Sequence, residues 1–361
     1  MSKILIITNH SYMLYRFRLE VIKALMREHE VVLSMPFVGH EEDFQALGLR
    51  CINTEVDRRG TNLKAELDLL SRYRKLLKEE KPDLVITYSI KPNVYAGLLC
   101  GLMRIPFCAN VQGLGTAFQS KKMAGLATVL YKTAFRKVST VFFENEGNAK
   151  VFRDRRIIPA EKQVVLAGAV INLEQYAYQP YPENDVTHFL YLGRIMKEKG
   201  MDELFDTVEK LHAEGAPFVL DLVGFFEDEY KERVEALEAR GIVKFHGFQP
   251  EPQPYYAMAD CLVLPSWHEG MSNVLLEAAA TGRPLITSRI HGCMEAVIEN
   301  ESGYLCTAKD RESLYAAMKA FLALPREKRE KMGACGRKLI EEKFEKSKVV
   351  EATVKALQLD Q

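Results

Sequence analysis

Apolar positions along the chain come first as short unbroken runs and then as longer amphipathic ones. KILIITN (3–9), EVVLSM (30–35), DLVITYS (83–89), PFCANV (106–111) and TVFFEN (140–145) are apolar on successive residues, without alternation. That is the pattern of strands buried on both faces. Between them, 63–77 and 123–137 repeat at helical spacing. The rhythm breaks after Val170 in INLEQYAYQPYPENDV, where Pro180 and Pro182 predict a linker. It restarts with HFLYLG (188–193), FVLDLVG (218–224), IVKFHG (242–247), DCLVLPS (260–266) and PLITS (284–288), with helices expected over 202–213, 228–239 and 272–281. Further helical patterns run through Lys338 and over 349–357. Strand–helix alternation with short connections predicts parallel sheets covered on both faces, hence an α/β protein of two doubly wound domains facing a cleft. The expected boundaries are 1–175, 186–340, and a C-terminal helical segment 341–361 that can pack back on the first domain.

Length agrees, since 361 residues fit about two domains. Composition is that of a globular protein, with 47% hydrophobic and 27% charged residues. No apolar run approaches the roughly 20 residues of a membrane span. Lys3 and the short run Ile4 to Ile7 offer no secretory segment, so the expected location is the cytoplasm. Seven scattered cysteines without a C-x-x-C pair read as reduced, buried thiols.

Formal net charge is zero, with 49 basic and 49 acidic residues, but residues 1–180 carry 26 basic against 18 acidic while 181–361 carry 23 against 31. From Leu84 to Phe143 there is no acidic residue, where about eight would be expected, yet there are seven cations: Lys91, Arg104, Lys121, Lys122, Lys132, Arg136 and Lys137. Such a surface suits anions, either phospholipid headgroups or a diphosphate. Nucleic acid is disfavoured, because no basic–aromatic repeat accompanies the charge. The helix over 123–137 mixes Leu126, Val129, Leu130 and Phe135 with Lys132, Arg136 and Lys137. It reads either as an interfacial helix on anionic lipid or as a helix with its apolar face on the sheet and its cations outward.

Doubly wound sheets bind ligands beyond the carboxyl ends of their strands. Neither G-x-G-x-x-G nor G-x-x-x-x-G-K-[S/T] occurs there, which disfavours a dehydrogenase and a P-loop hydrolase. Two post-strand segments carry chemistry instead. In FLYLGRIMKEKGMDELF, Gly193 and Arg194 follow a strand while Lys199 and Gly200 precede a helix. Either cation alone is an ordinary surface charge, but a planar fork and a point charge on one loop suit a diphosphate. In PSWHEGMSNVLLEAAATGRP, Glu269 lies on the loop, Ser272 is the expected N-cap, and Glu277 falls within an otherwise apolar helix. A carboxylate there needs either a partner or a water-facing edge. The backbone from Gly270 through Met271 and Ser272 to Asn273 offers helix N-terminal N–H groups to an anion.

Gly193–Arg194, Lys199–Gly200 and the pair Glu269 and Glu277 with seven residues between them resemble the donor site of retaining glycosyltransferases of the GT-B fold, which has two Rossmann-like domains. The likeness is to the large bacterial group 1 family that includes capsule, O-antigen and lipid-linked-sugar transferases. The resemblance implies that Arg194 and Lys199 neutralise a nucleotide diphosphate, Glu277 binds ribose hydroxyls and Glu269 holds the donor sugar. It also implies transfer of a hexose or N-acetylhexosamine, UDP-linked, to a polyprenyl-diphosphate saccharide at the inner membrane face. No D-x-D occurs in the chain, so no metal and no cofactor beyond the nucleotide sugar is expected. ITYSIKPNVYAGL and NVQGLGTAFQ resemble the acceptor half, with Arg16, Arg18 and Lys91 as candidates for the acceptor's diphosphate. Two departures stand out. Thr8-Asn9-His10-Ser11 replaces a glycine-rich turn, and Ile90 stands where many members carry a histidine. His10, His268 and His291 all follow strands, but no catalytic histidine is assigned. A soluble acceptor and a non-catalytic nucleotide-sugar-binding subunit stay open as alternatives. The sugar, linkage, base and oligomeric state are not legible.

Overall fold

Each half of the chain winds a parallel sheet outward from its first strand. The computed structural model describes residues 1–56, 62–114, 118, 121–166 and 171–357. It divides into two units, 1–170 with 347–361, and 171–346.

In the first unit the strands are β1 (Lys3–Ile7), β2 (Glu30–Met35), β3 (Arg50–Asn53), β4 (Leu84–Tyr88), β5 (Phe107–Val111), β6 (Thr140–Phe143) and β7 (Gln163–Val165). Its helices are α1 (Ser11–Met26), α2 (Glu41–Ala46), α3 (Leu63–Glu80), α4 (Ile90–Met103), α5 (Lys121–Ala134) and α6 (Glu146–Asp154). The sheet order is β3-β2-β1-β4-β5-β6-β7, every pairing parallel. The strand order therefore reverses between β1 and β4, which is where such sheets leave a crevice. The unbroken apolar runs are the central strands: Ile4, Leu5 and Ile7 are fully buried.

The second unit holds β8 (Thr187–Leu192), α7 (Met201–Ala213), β9 (Phe218–Val223), α8 (Lys231–Ala239), β10 (Val243–Gly247), α9 (Gln253–Met258), β11 (Cys261–Leu264), α10 (Asn273–Ala280), β12 (Leu285–Ser288), β13 (Gly303–Cys306), α11 (Arg311–Leu322) and α12 (Arg326–Lys343). Its sheet order is β10-β9-β8-β11-β12-β13, again wholly parallel. Here the switch point lies between β8 and β11. The last helix, α13 (Lys346–Ala356), belongs to the first unit, where Val350, Val354 and Leu357 join the β1/β2/β4 core. Among the described residues, no helix is long and apolar enough to cross a membrane.

The Tyr/Pro-rich stretch after 170 is no free linker. Arg337 donates to the carbonyl of Tyr176, Tyr181 to that of Asp260, and the backbone N–H of Gln179 to that of Thr281. Pro180 and Pro182 break secondary structure, as read, but the exposed carbonyls they leave are taken up by arginines: Arg283 at Pro180, Arg326 at Tyr181 and Pro182. Helix 123–137 is also divided. α5 ends at Ala134, and Phe135–Lys137 tightens into a 3₁₀ turn that ties Val138 N–H to the Phe135 carbonyl at 3.2 Å.

Candidate active site

The two sequence segments meet at the switch point of the second unit. After β8 the chain makes a 3₁₀ turn, Lys197–Lys199, and enters α7 through Gly200 at φ 76°. A Cβ at Gly200 would sit 2.2 Å from the Pro265 carbonyl oxygen, so only glycine lets this turn press against the end of β11. Trp267 N–H donates to the Glu198 carbonyl at 2.9 Å and stitches the two loops together. The consequence is a direct contact. Lys199 Nζ lies 2.5 Å from Glu269 Oε1, with the side chains 17% and 12% exposed. Ser266 Oγ donates to the same oxygen at 2.7 Å. Gly292 (φ 89°) backs the loop, since a Cβ there would meet the Gly270 and Glu269 carbonyl oxygens at 2.5 and 2.8 Å.

Arg194 is not part of that contact. It is half-exposed and pairs with Glu227 Oε2 at 2.7 Å, while its carbonyl accepts from the Tyr191 hydroxyl at 2.5 Å. The Arg194–Lys199 pair is thus two separate ion pairs on one loop. Glu227 was not legible, because it sits after β9 in a run of acids, FFEDEY, that marks no position. Gly193 N–H bonds to the Val223 carbonyl at 2.9 Å and aligns the loop with β9.

Glu277 is 2% exposed, so the water-facing alternative is excluded. Its partner is the buried Tyr256 hydroxyl, 2.6 Å from Oε2. Tyr256 comes from α9, and nothing in its sequence context announced it. Ser272 occupies the N-cap of α10, as expected, yet its hydroxyl makes no capping bond. Its backbone N–H donates to the Gly292 carbonyl at 2.8 Å instead. Ser272 Oγ and Asn273 Oδ1 are buried polar atoms without a hydrogen-bond partner among the described residues, as is Trp267 Nε1. Orphaned polar atoms of this kind are rare and costly in folded proteins, and here two of them cluster at one uncapped helix N-terminus. Met271 beside them is buried. Burial, with Glu269 as the leading nearby charge, pushes the Tyr191 hydroxyl and the Cys293 thiol up. Both are therefore neutral neighbours of the carboxylate. His291 pairs with Glu295 at 2.8 Å, and His268 lies 3.7 Å from Glu198. Among the described residues, no group of three or more His, Cys, Asp or Glu is placed to hold a metal ion.

The acceptor-side candidates are spoken for. Arg18 is buried, 2.5 Å from Glu144 Oε1 and 5.7 Å from the Tyr88 ring centroid. Lys91 Nζ is 2.5 Å from Glu66 Oε1, and Arg16 donates to the Tyr12 hydroxyl at 3.2 Å. Of the cations in the acid-free window the fold pairs Lys91, which Glu66 reaches from upstream, while Glu144, just beyond the window, pairs with Arg18 outside it. His10 caps α1, its Nδ1 accepting from Met13 N–H at 3.4 Å. Ile90 opens α4. A cavity at the β1/β4 switch point is lined by Thr8, Asn9, His10, Arg18, Ser89 and Gln112 among others. Within NVQGLGTAFQ, residues 115–117 and 119 lie outside the described residues, as do the side chains of Lys121 and Lys122.

Comparison with known proteins agrees along both halves. Residues 179–339 match the family described as glycosyl transferases group 1, and residues 3–145 the one described as glycosyl transferase 4-like. An N,N'-diacetylbacillosaminyl-diphospho-undecaprenol alpha-1,3-N-acetylgalactosaminyltransferase of Campylobacter jejuni is 27% identical over 321 residues, 83% of this chain and 84% of the relative. The lipopolysaccharide core biosynthesis glycosyltransferase LpsE of Rhizobium meliloti is 24% identical over 73% of this chain and 72% of its own length. The crystal structure of Anabaena HepE in complex with UDP-glucose superposes with a TM-score of 0.80 at 17% identity, covering 99% of both chains. With both halves matched by glycosyltransferase family models and the GT-B architecture in place, the chain is a glycosyltransferase, its residues 179–339 of the group 1 type.

Proposed function

We propose that this glycosyltransferase moves a hexose or N-acetylhexosamine from a UDP-sugar to a polyprenyl-diphosphate-linked saccharide, with retention at the anomeric carbon and without a metal. The observation that carries the donor reading is the Lys199–Glu269 contact beside the uncapped N-terminus of α10, where Ser272 Oγ and Asn273 Oδ1 have no partner among the described residues. An ammonium has three donors and Glu269 takes one, which leaves capacity for a phosphate oxygen. Asn273 Oδ1 accepts from, and the Ser272 hydroxyl accepts from or donates to, the hydroxyls of a sugar nucleotide that completes the site. Negative charge grows on the departing diphosphate as the glycosidic bond breaks. Arg194, Lys199 and the helix N-terminus stabilise that charge more in the transition state than before it. Glu269 holds the donor sugar and balances the positive anomeric centre, and Glu277 reads the ribose.

The acceptor reading is supported by the Campylobacter relative, whose name gives a diphospho-undecaprenol acceptor, and by the polar lining of the first-unit cavity. In that cavity Thr8, Asn9, Ser89 and Gln112 suit a saccharide's hydroxyls. The protein then works at the inner membrane face. Calorimetric titration of UDP in EDTA, beside Arg194→Ala, tests the donor half: binding that weakens in the variant is expected. Transfer from radiolabelled UDP-sugars to a polyprenyl-diphosphate saccharide tests the acceptor half, and the anomeric configuration of the product tests retention. Transfer only to soluble sugar phosphates would overturn the lipid-linked acceptor.

A further inference from the structure

Strand β4 runs into α4 with one residue between them, and the backbone of that residue is strained. Ser89 has φ 76° and ψ 159°. Glycine takes this region freely, a Cβ makes it costly, and residues held there gather at functional sites. His40, Lys81 and Arg104 also have positive φ, but they sit in the ordinary left-handed helical region at helix ends. The Ser89 hydroxyl makes no capping bond. An N-cap side chain accepts from the N–H of the second or third helical residue, and the third here is Pro92, which has none. Ser89 instead lines the cavity at the β1/β4 switch point, together with Asn9 and Gln112.

The conformation is held from both sides by the buried Asn93, which is 0% exposed. Its backbone N–H donates to the Ser89 carbonyl at 3.0 Å. Its Nδ2 donates to the Asn110 carbonyl at 2.8 Å, and its Oδ1 accepts from the Thr87 hydroxyl at 2.7 Å. Asn110 Nδ2 in turn donates to the Thr87 carbonyl at 3.2 Å. Thr87 and Asn110 stand one residue from the ends of the paired strands β4 and β5. The chain before Ser89 and the helix after it are thus tied into one ring of bonds, and the turn between them has no room to relax.

We infer that Ser89 is a specificity-determining residue for the acceptor, its hydroxyl bonding a hydroxyl or acetamido group of the acceptor's sugar, and that Asn93 is the positioning residue that holds it there. Glycine would make the same connection without strain, so what serine adds at this place is one hydroxyl. Arg18, which lines the same cavity, is tied to Glu144. Hydroxyl-bearing groups therefore fit here better than anionic ones. The inference rests on the reading of this cavity as the acceptor site and names the side chain that discriminates there.

The test combines melting curves with steady-state transfer by the full-length protein, from radiolabelled UDP-hexoses and UDP-N-acetylhexosamines to a polyprenyl-diphosphate N-acetylhexosamine. Ser89→Ala keeps the strained backbone and removes the hydroxyl, whereas Ser89→Gly removes both. Each should raise KM for the acceptor by roughly three- to tenfold, as loss of one neutral hydrogen bond predicts, and leave KM for the UDP-sugar unchanged. Only Ser89→Gly should melt above wild type, by roughly 1–6 °C once the larger folding entropy of glycine is subtracted. Asn93→Ala should melt lower and raise the same KM. Because it acts through Ser89, the variant Asn93→Ala/Ser89→Gly should have the acceptor KM of Ser89→Gly alone. A wild-type acceptor KM in both Ser89 variants overturns the inference, as does Ser89→Gly melting below Ser89→Ala. Acceptor KM effects that multiply in the double variant overturn the role of Asn93. Transfer only to soluble sugar phosphates would sink the lipid-linked reading, yet a Ser89 effect on that acceptor's KM would still uphold the inference. UDP binding without transfer to any acceptor would overturn both.

Discussion

Lys199 and Glu269 reach each other from loops that follow adjacent strands of the second sheet, β8 and β11, and meet at 2.5 Å with both side chains largely buried. Each is the other's counter-charge before any substrate arrives. Removing one strands the other, so Lys199→Met and Glu269→Gln should each destabilise the protein by about 1–3 kcal/mol. The double variant should cost less than the sum, with a coupling of about 0.5–3 kcal/mol. Urea unfolding of the four proteins measures this. An additive cycle would mean that the contact is incidental to the fold.

Glu277 and Tyr256 make a second buried pair, with the hydroxyl donating over 2.6 Å to a carboxylate that is 2% exposed. Tyr256→Phe keeps the ring and removes only the donor. The expected loss is about 1–3 kcal/mol, the cost of leaving a buried acceptor short of a partner. Thermal unfolding of Tyr256→Phe beside Glu277→Gln checks it. The glutamine variant keeps an amide oxygen that can accept from the Tyr256 hydroxyl, so it should fall less than the phenylalanine variant.

The central strands were legible because a strand covered on both faces has no polar positions to spare. The edges were not. β3 (Arg50–Asn53), β7 (Gln163–Val165) and β13 (Gly303–Cys306) lie at sheet ends, and RCIN, QVV and GYLC are too short or too polar to stand out. The residues proposed for the donor site could be singled out because their order along the chain and their places after strands survive in sequence. Their partners Glu227, Tyr256 and Ser266 come from elsewhere or carry no spacing, so only folding shows them. Charge was the poorest guide. Arg18 and Lys91 looked available and are instead neutralised by Glu144 and Glu66, from 126 and 25 residues away.

His188, Asp221 and His246 lie across three neighbouring strands, with Asp221 Oδ2 2.7 Å from His188 Nδ1 and Oδ1 2.7 Å from His246 Nε2. Asp221 is 1% exposed. Its hydrogen bond lifts the His188 pKa above the ordinary 6.5, against burial, with Asp260 adding to the lift and Lys244 opposing it. A histidine whose folded pKa exceeds its unfolded one stabilises the fold fully below the unfolded value, and that contribution disappears as pH rises through the folded value. His188→Asn should therefore lower the melting temperature most near about pH 5.5 and progressively less toward about pH 8.5. Melting curves of both proteins across that range give the comparison. A gap that widens with pH would reverse the sign and show that the neutral imidazole is the stabilising form.

Arg283 and Arg194 make the sharpest contrast within the second unit. Arg283 is 1% exposed and donates to four backbone carbonyls: Tyr256 at 2.8 Å, Pro180 at 2.9 Å, Ala257 at 3.0 Å and Gln179 at 3.4 Å. Burial lowers its pKa, but no carboxylate is needed, because the carbonyl dipoles converge on the charge. These bonds hold the segment around 176–182 against α9. Arg283→Met should orphan the carbonyls, destabilise the protein by about 2–5 kcal/mol and open the Tyr/Pro-rich stretch to chymotrypsin near Tyr176, Tyr178 and Tyr181. Arg194 is half-exposed and, among the described residues, ion-paired only with Glu227. Arg194→Ala should change stability by less than about 1 kcal/mol, yet weaken UDP binding by roughly tenfold or more through loss of a charge-assisted bond. Limited proteolysis, melting and calorimetry on the two variants separate an arginine that builds the unit from one that serves its ligand. Arg194→Ala melting as low as Arg283→Met, with UDP affinity intact, would reverse that assignment.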